Sequence, residues 1–111
     1  MNVRCEDYDH VTVLTVSGEL NAEATEVFKK QVEERLERKV RFFVIDLQQT
    51  TFLDSKGLET LVWVQEQCDE RLGTVRLCNP DEICRKILQV TRLDNRFDVF
   101  ANVAEAVKTM R

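Results

Sequence analysis

The chain has 111 residues, of which 43% are apolar, 20 are acidic and 16 are basic, so its net charge is −4. A chain of this length can bury one hydrophobic core without metals or disulfides, and we expect a single domain over residues 1–111. Charges of both signs are mixed along the sequence, which argues against direct binding of nucleic acid.

The composition also predicts the compartment. The start MNVRCEDYDH is too polar for a signal peptide, and the longest apolar run, Phe42 to Ile45, is far shorter than the roughly 20 residues that span a bilayer. We therefore expect a cytoplasmic protein without membrane insertion. Thiols stay reduced there, and the chain has no CxxC pair and one histidine, so we expect no metal or cofactor. We therefore interpret the four cysteines as small apolar packing residues and not as disulfides: Cys5, Cys68, Cys78 and Cys84.

The first half of the chain predicts two strands and a helix. NVRCEDYD is weakly patterned, whereas HVTVLTVSGEL alternates Val11 and Val13 on one face with Leu14 and Val16 on the other, as in a covered strand. Asn21 is a good N-cap for the helix that follows. Its apolar residues recur at steps of three and four and predict one buried stripe: Ala24, Val27, Phe28, Val32 and Leu36.

The second half alternates strands with helices. VRFFVIDL, residues 40–47, is nearly continuous in apolar residues and predicts a central strand covered on both faces. A helix over LETLVWVQEQCDERL, a strand over TVRLCN, a helix from Asp81, a strand over RFDVF and a helix capped by Asn102 follow. The order β, β, α, β, α, β, α, β, α predicts an α/β fold with parallel crossovers.

The segment FLDSKGL, residues 52–58, joins the central strand to the next helix. Either Asp54 or Ser55 can cap that helix, and the sequence does not decide between them. A phosphate on Ser55 would be tolerated at the positive end of the helix, yet it would add about 1.5 to 2 negative charges to the surface and block docking. Lys56 would partly offset that charge, and Gly57 would let a partner backbone approach.

The helix after this junction carries a further candidate residue. At about 100° per residue, Trp63 lies opposite the apolar stripe, between Glu59, Glu66 and Glu70, so we expect an exposed Trp that belongs to one docking surface with Ser55. The alternative is a ring that lies over neighbouring methylene groups and binds nothing. Gln65 falls near the stripe's centre without an evident reason. The stripe comprises Leu58, Leu61, Val62, Cys68 and Leu72.

Three segments, SGELNAEATEVFKKQVEERL, VIDLQQTTFLDSKGLETLV and ICRKILQVTRLDNRFDVFANVAEAV, together resemble the STAS domains of bacterial anti-sigma factor antagonists in order and spacing. The most specific match is the motif aspartate-serine-any-glycine-leucine at residues 54–58. The resemblance implies a single STAS-like domain, with a mixed sheet of four to five strands and four helices packed mainly on one face.

The resemblance also implies a switch. Such proteins, when unphosphorylated, bind an anti-sigma factor that is itself a serine kinase and so free a sigma factor for transcription. Phosphorylation of the motif serine, here Ser55, ends the interaction until a phosphatase restores it. Lys56 and Glu59 depart from the usual motif, which leaves open an unswitched subunit of a sensory or transporter complex. Together with the docking hypothesis, the expected partner-binding residues are Asp54, Ser55, Lys56, Gly57, Glu59 and Trp63.

A competing interpretation is a small serine hydrolase. Asp54, Ser55 and His10 contain the residue types of a catalytic triad, but His10 begins a strand that is distant in sequence. The chain also lacks a GxSxG elbow and a GxxxxGK[ST] phosphate loop. We therefore expect a binding protein and not an enzyme.

Overall fold

The computed structural model describes residues 2–110, and these form one α/β unit; Met1 and Arg111, the ends of the predicted domain, lie outside the described residues. The strands are β1 (Asn2–Tyr8), β2 (Val11–Leu20), β3 (Phe42–Asp46), β4 (Thr50–Leu53), β5 (Thr74–Cys78) and β6 (Val99–Phe100). The helices are α1 (Ala22–Glu37), α2 (Ser55–Glu70), α3 (Glu82–Val90) and α4 (Val103–Val107), with a 3-10 turn at Leu93–Asn95.

The strands form one mixed sheet in the order β1-β2-β3-β5-β6. β1 pairs with β2 in the antiparallel direction, and the remaining pairs are parallel, including β4 with the end of β2. β3 is central and buried on both faces, with Phe43 and Ile45 on one side and Val44 on the other. The predicted mixed α/β fold and its central strand are confirmed.

The short strand β4 is additional to the five that the sequence predicted. Only Thr50 and Leu53 of its four residues are buried, so the segment shows no period-two alternation. Its pairing with β2 carries the chain from the centre of the sheet to the start of α2, and this pairing therefore fixes the position of Ser55.

The helices cover both faces of the sheet. Helices α1, α2 and α3 pack on the face that carries Leu14 and Phe43, whereas α4 packs on the face that carries Val13 and Val44. Three helices on one face and one on the other agree with the expected packing mainly on one side. The predicted caps at Asn21 and Asn102 are also confirmed, because each side chain accepts a backbone N–H of its helix. Asp81, from which a helix was predicted, is the N-cap of α3 and accepts the Cys84 N–H.

Two residues of the predicted apolar stripes are exposed. Val27 on α1 is 43% exposed, because the buried face of that helix instead includes Thr25. Leu72 is 83% exposed, because α2 ends at Glu70 and Leu72 adopts a left-handed conformation in the following turn. In both cases helical spacing alone misplaced the edge of the stripe.

Candidate functional site

The junction between β4 and α2 presents a serine at the surface. Ser55 is the first residue of α2 and is exposed. Asp54 is the N-cap, because its Oδ1 accepts a hydrogen bond from the Gly57 N–H at 2.8 Å and its backbone carbonyl accepts one from the Leu58 N–H at 2.9 Å. Asp54 therefore caps the helix, which the sequence left undecided, and the Ser55 hydroxyl is not required for capping.

Gly57 is buried against the end of β2. A Cβ at this position would lie 2.3 Å from the Leu20 carbonyl oxygen and 3.2 Å from the Leu20 Cγ. The close backbone approach for which glycine is needed is thus made by Leu20 of the same chain, not by a partner. The expected role of Gly57 in admitting a partner backbone is corrected accordingly.

The charged residues that follow Ser55 are paired with each other. The Lys56 Nζ lies 3.4 Å from the Glu59 Oε2, and both side chains are largely exposed. An exposed pair of this kind contributes little to stability. Its consequence for the site is electrostatic: the two departures from the usual motif partly cancel, so they add little net charge beside Ser55.

Trp63 is half-buried, and the expectation of an exposed ring is wrong. The indole packs against the core, and the Lys29 Nζ of α1 lies 5.4 Å from its ring centroid. Trp63 therefore fills the junction of α1 and α2. Along the helix it lies about 12 Å from Ser55, so a single docking surface that includes both residues stays a prediction.

Gln65 now has a structural role. Its Nε2 donates a hydrogen bond to the Arg96 carbonyl, and its Oε1 accepts one from the Arg96 Nε at 3.1 Å. This pair of hydrogen bonds ties α2 to the segment that follows the 3-10 turn. The partner lies 31 residues further along the chain, which is why helical spacing gave no account of this glutamine.

An apolar surface patch lies on β4 and α3 and was not anticipated from the sequence. Phe52 on β4 is 43% exposed, Ile83 on α3 is 55% exposed, and Ile87 is half-buried beside them. These three residues line a shallow hollow of ≈ 500 Å³. We call them the apolar patch. Phe52 lies three residues before Ser55. This aromatic residue was the one feature of the sequence that could have indicated the apolar patch.

The residues of the hydrolase alternative are not brought together. His10 precedes β2, whereas Ser55 follows β4, which pairs with the far end of β2. The ten residues of β2 span roughly 30 Å, and the His10 Nε2 instead lies 2.9 Å from the Met110 carbonyl. A Ser-His-Asp constellation would need these groups within hydrogen-bonding distance.

In the part of the chain that the structure describes, the thiols and the carboxylates do not form a metal-binding cluster. All four cysteines are free; Cys68, Cys78 and Cys84 are buried, and burial raises the pKa of each of these thiols to about 12. They are interior residues, as expected, while Cys5 is half-buried. Within residues 2–110 no cluster of three or more potential metal ligands occurs, and no helix there is long and apolar enough to cross a bilayer.

Fold and site define a small α/β domain with an exposed serine at a helix start and an apolar patch formed by β4 and α3. The model of the STAS domain family matches residues 2–106, and the chain belongs to this family.

Two similar proteins are described as anti-sigma factor antagonists. The chain is 28% identical over 104 residues to a Thermotoga maritima protein whose assignment as an anti-sigma factor antagonist is provisional, with 93% of this chain and 92% of that protein covered. A solved anti-sigma factor antagonist from Mycobacterium paratuberculosis superposes with a TM-score of 0.86 at 25% identity and covers 99% of this chain and 93% of its own.

The anti-sigma factor antagonist SpoIIAA shares the fold in both of its forms. The unphosphorylated form has a TM-score of 0.86 at 21% identity, with 96% of this chain and 94% of that chain covered. The phosphorylated form, from Bacillus, has a TM-score of 0.80 at 20% identity, with 99% and 100% covered.

Proposed function

We propose that this protein is a cytoplasmic anti-sigma factor antagonist that is switched by phosphorylation of Ser55. In its unphosphorylated form it binds an anti-sigma factor with serine kinase activity, which releases a sigma factor for transcription. That kinase then phosphorylates Ser55 and ends the interaction, and a phosphatase restores it. The observation that carries the proposal is the exposed Ser55 beside a helix cap that Asp54 already provides.

The position of Ser55 supports a modification that leaves the fold intact. The first N–H groups of a helix lack partners within the helix, and the helix dipole favours negative charge at this end. Asp54 satisfies the Gly57 N–H, so a phosphate on Ser55 would meet the remaining N–H groups without displacing the cap. Phosphorylation would therefore change the surface much more than the stability.

The apolar patch supports a protein partner. Exposed large apolar side chains that adjoin one another are typical of interaction surfaces. Ser55 follows Phe52 of this patch by three residues, so a contact that extends from the patch to the start of α2 would meet about 1.5 to 2 strongly hydrated negative charges on a phosphate there. Burying such a group against a partner without a matching cation is costly, and this cost would end the interaction.

Capture from the native cytosol tests the proposal. Wild type and Ser55→Ala should retain a protein that transfers phosphate from ATP to Ser55 and that binds a sigma factor, whereas Ser55→Asp should release it. Thr51→Asp is the matched control, because Thr51 is also exposed and lies four residues away on β4, outside the helix. It should retain the partner.

The same experiment separates the switched protein from the unswitched alternative. If the protein is an unswitched STAS subunit of a sensory or transporter complex, all four baits should capture the other subunits of that complex equally, with no phosphate on Ser55. Phosphate on Thr51 in the wild type would also contradict the proposal. Thr50 is not an accessible acceptor, because it is buried and its hydroxyl donates to the Val16 carbonyl at 2.8 Å.

A further inference from the structure

The end of the domain opposite Ser55 carries a cluster of positive charge. Helix α2 runs from Ser55 to its C-cap at Arg71, and its 16 residues span about 24 Å. Beside Arg71 lies the loop from the end of α1 to β3, because Thr74, three residues after Arg71, donates its N–H to the Arg41 carbonyl at 3.0 Å. We call this end the basic pole; it comprises Arg38, Lys39, Arg41 and Arg71.

Two of these four cations interact with the last turns of α1 and α2. Arg38 pairs with Glu34 at 2.8 Å, and Arg71 donates to the Gln67 carbonyl at 3.0 Å. Basic side chains are usual at helix C-termini, where they offset the negative end of the dipole. Arg38 and Arg71 alone would therefore need no further explanation.

Lys39 and Arg41 are not used in this way. Within residues 2–110 neither is within ion-pair distance of a carboxylate, and both are exposed. The Arg41 guanidinium lies 5.3 Å from the Phe42 ring centroid, and the His10 ring packs against the same Phe42 ring in a T-shaped arrangement. A stacked guanidinium is held in place while its N–H groups still face solvent, and this arrangement suits binding of a carboxylate.

The surface around these cations is concave and partly apolar. Hollows of ≈ 600 Å³ and ≈ 440 Å³ adjoin at Lys39, Val40 and Arg41, which line both of them. Gly73 packs closely on the Arg41 backbone, because a Cβ on residue 73 would lie 1.9 Å from the Arg41 carbonyl oxygen. Leu72, which follows Arg71 of the first hollow in the chain, is 83% exposed.

We propose that the basic pole binds a short acidic segment of a partner protein. Charge complementarity favours an acidic occupant, and the neighbouring carboxylates limit its size. Asp9 and Glu37 line the two hollows, and Glu70 follows on α2. A nucleic acid duplex or an anionic bilayer would extend over these carboxylates on a chain whose net charge is −4, whereas a short peptide would cover only the pole.

The basic pole acts independently of the Ser55 switch. Its distance from Ser55 is about three times the Debye length of about 8 Å at physiological salt, so a phosphate on Ser55 is screened from it. The domain could then hold an acidic segment at one end while phosphorylation controls binding at the other. A failure of the proposal for the basic pole would therefore not contradict the antagonist function, and a failure of the antagonist function would not contradict the proposal for the basic pole.

A labelled poly-glutamate peptide, titrated by fluorescence anisotropy at low ionic strength, tests the proposal. We expect binding that perturbs the backbone NMR signals of residues 38–42 and 71–73. The double variant Lys39→Glu/Arg41→Glu should weaken binding by at least about tenfold, since charge reversal at a docking surface acts directly on the contact. Ser55→Asp should bind the peptide as the wild type does.

A control variant with the same change in net charge makes the result decisive. Arg85→Glu/Lys86→Glu reverses two exposed charges on α3 and should leave the affinity within about twofold. Arg41→Gln, which keeps most of the side chain, should weaken binding if the double variant does not fold. The proposal is overturned by equal weakening in both double variants, by NMR changes away from the pole, by absence of binding, or by anionic vesicles competing for the same residues.

Discussion

The replacement of Gly57 by alanine measures how closely α2 is packed on β2. The new Cβ would lie 2.3 Å from the Leu20 carbonyl oxygen, so the helix start and the strand end must move apart by about 1 Å to reach an ordinary contact. Overpacking of this kind costs up to about 3 kcal/mol. Alanine is the better helix former by at most about 1 kcal/mol, so the net loss of unfolding free energy is about 2 kcal/mol.

Thermal and urea unfolding test this value. An unfolding entropy of about 2.1 cal/mol/K per residue gives about 0.23 kcal/mol/K for the 111 residues, so the midpoint should fall by about 9 °C. Lys56→Ala, an exposed change on the same turn, should stay within about 0.5 kcal/mol of the wild type. If Gly57→Ala is as stable as the wild type, the packing argument is wrong. A stable variant that loses its partner would restore the idea that a partner approaches Gly57.

Three further predictions concern the cap, the pH dependence and Trp63. Asp54→Ala should lower the free energy of unfolding by about 1 kcal/mol in urea titrations, while Asp54→Asn should keep the cap and nearly all of the stability. Hydrogen bonds from Arg35 hold the pKa of Asp7 below its ordinary value of 3.8. The ionised Asp7 carboxylate therefore stabilises the folded state above about pH 4, and this contribution is lost as the pH falls further. Urea midpoints of Asp7→Asn should therefore fall less steeply with acid than those of the wild type, and identical slopes would contradict the assignment. Trp63→Ala should cost about 2 kcal/mol of stability, since the ring is half-buried, and Trp63→Phe should cost less. If Trp63→Phe folds normally yet binds the partner more weakly by over about 1 kcal/mol, the indole is an anchor, and unchanged binding limits it to packing.

Local patterns predicted much of this fold because they depend on neighbours in sequence. The alternation of Val11 to Val16, the apolar run of β3 and the cap at Asn21 each involve residues only a few positions apart. Such signals identified five of the six strands and all four helices of residues 2–110 and placed Ser55 at a helix start, and the resemblance to the STAS family supplied the proposed switch at that residue.

The errors concern contacts between residues that are distant in the chain. Gly57 was assigned to a partner because its true neighbour, Leu20, lies 37 positions earlier. Trp63 was placed opposite the stripe of its own helix, but its burial depends on where α1 passes and on Lys29. The apolar patch combines Phe52 of β4 with Ile83 of α3, and no local pattern predicts that these two elements meet. A helical period locates a residue relative to its own helix only.

The central claim is that phosphorylation of Ser55 ends partner binding while the fold is kept. The most direct measurement is isothermal titration of the captured kinase partner with the wild-type protein, before and after enzymatic phosphorylation confirmed by mass spectrometry. We predict that one phosphate on Ser55 weakens the affinity by about 100-fold or more and leaves the thermal midpoint nearly unchanged. Equal affinities for the two forms, or a loss of binding that follows unfolding, would contradict the account.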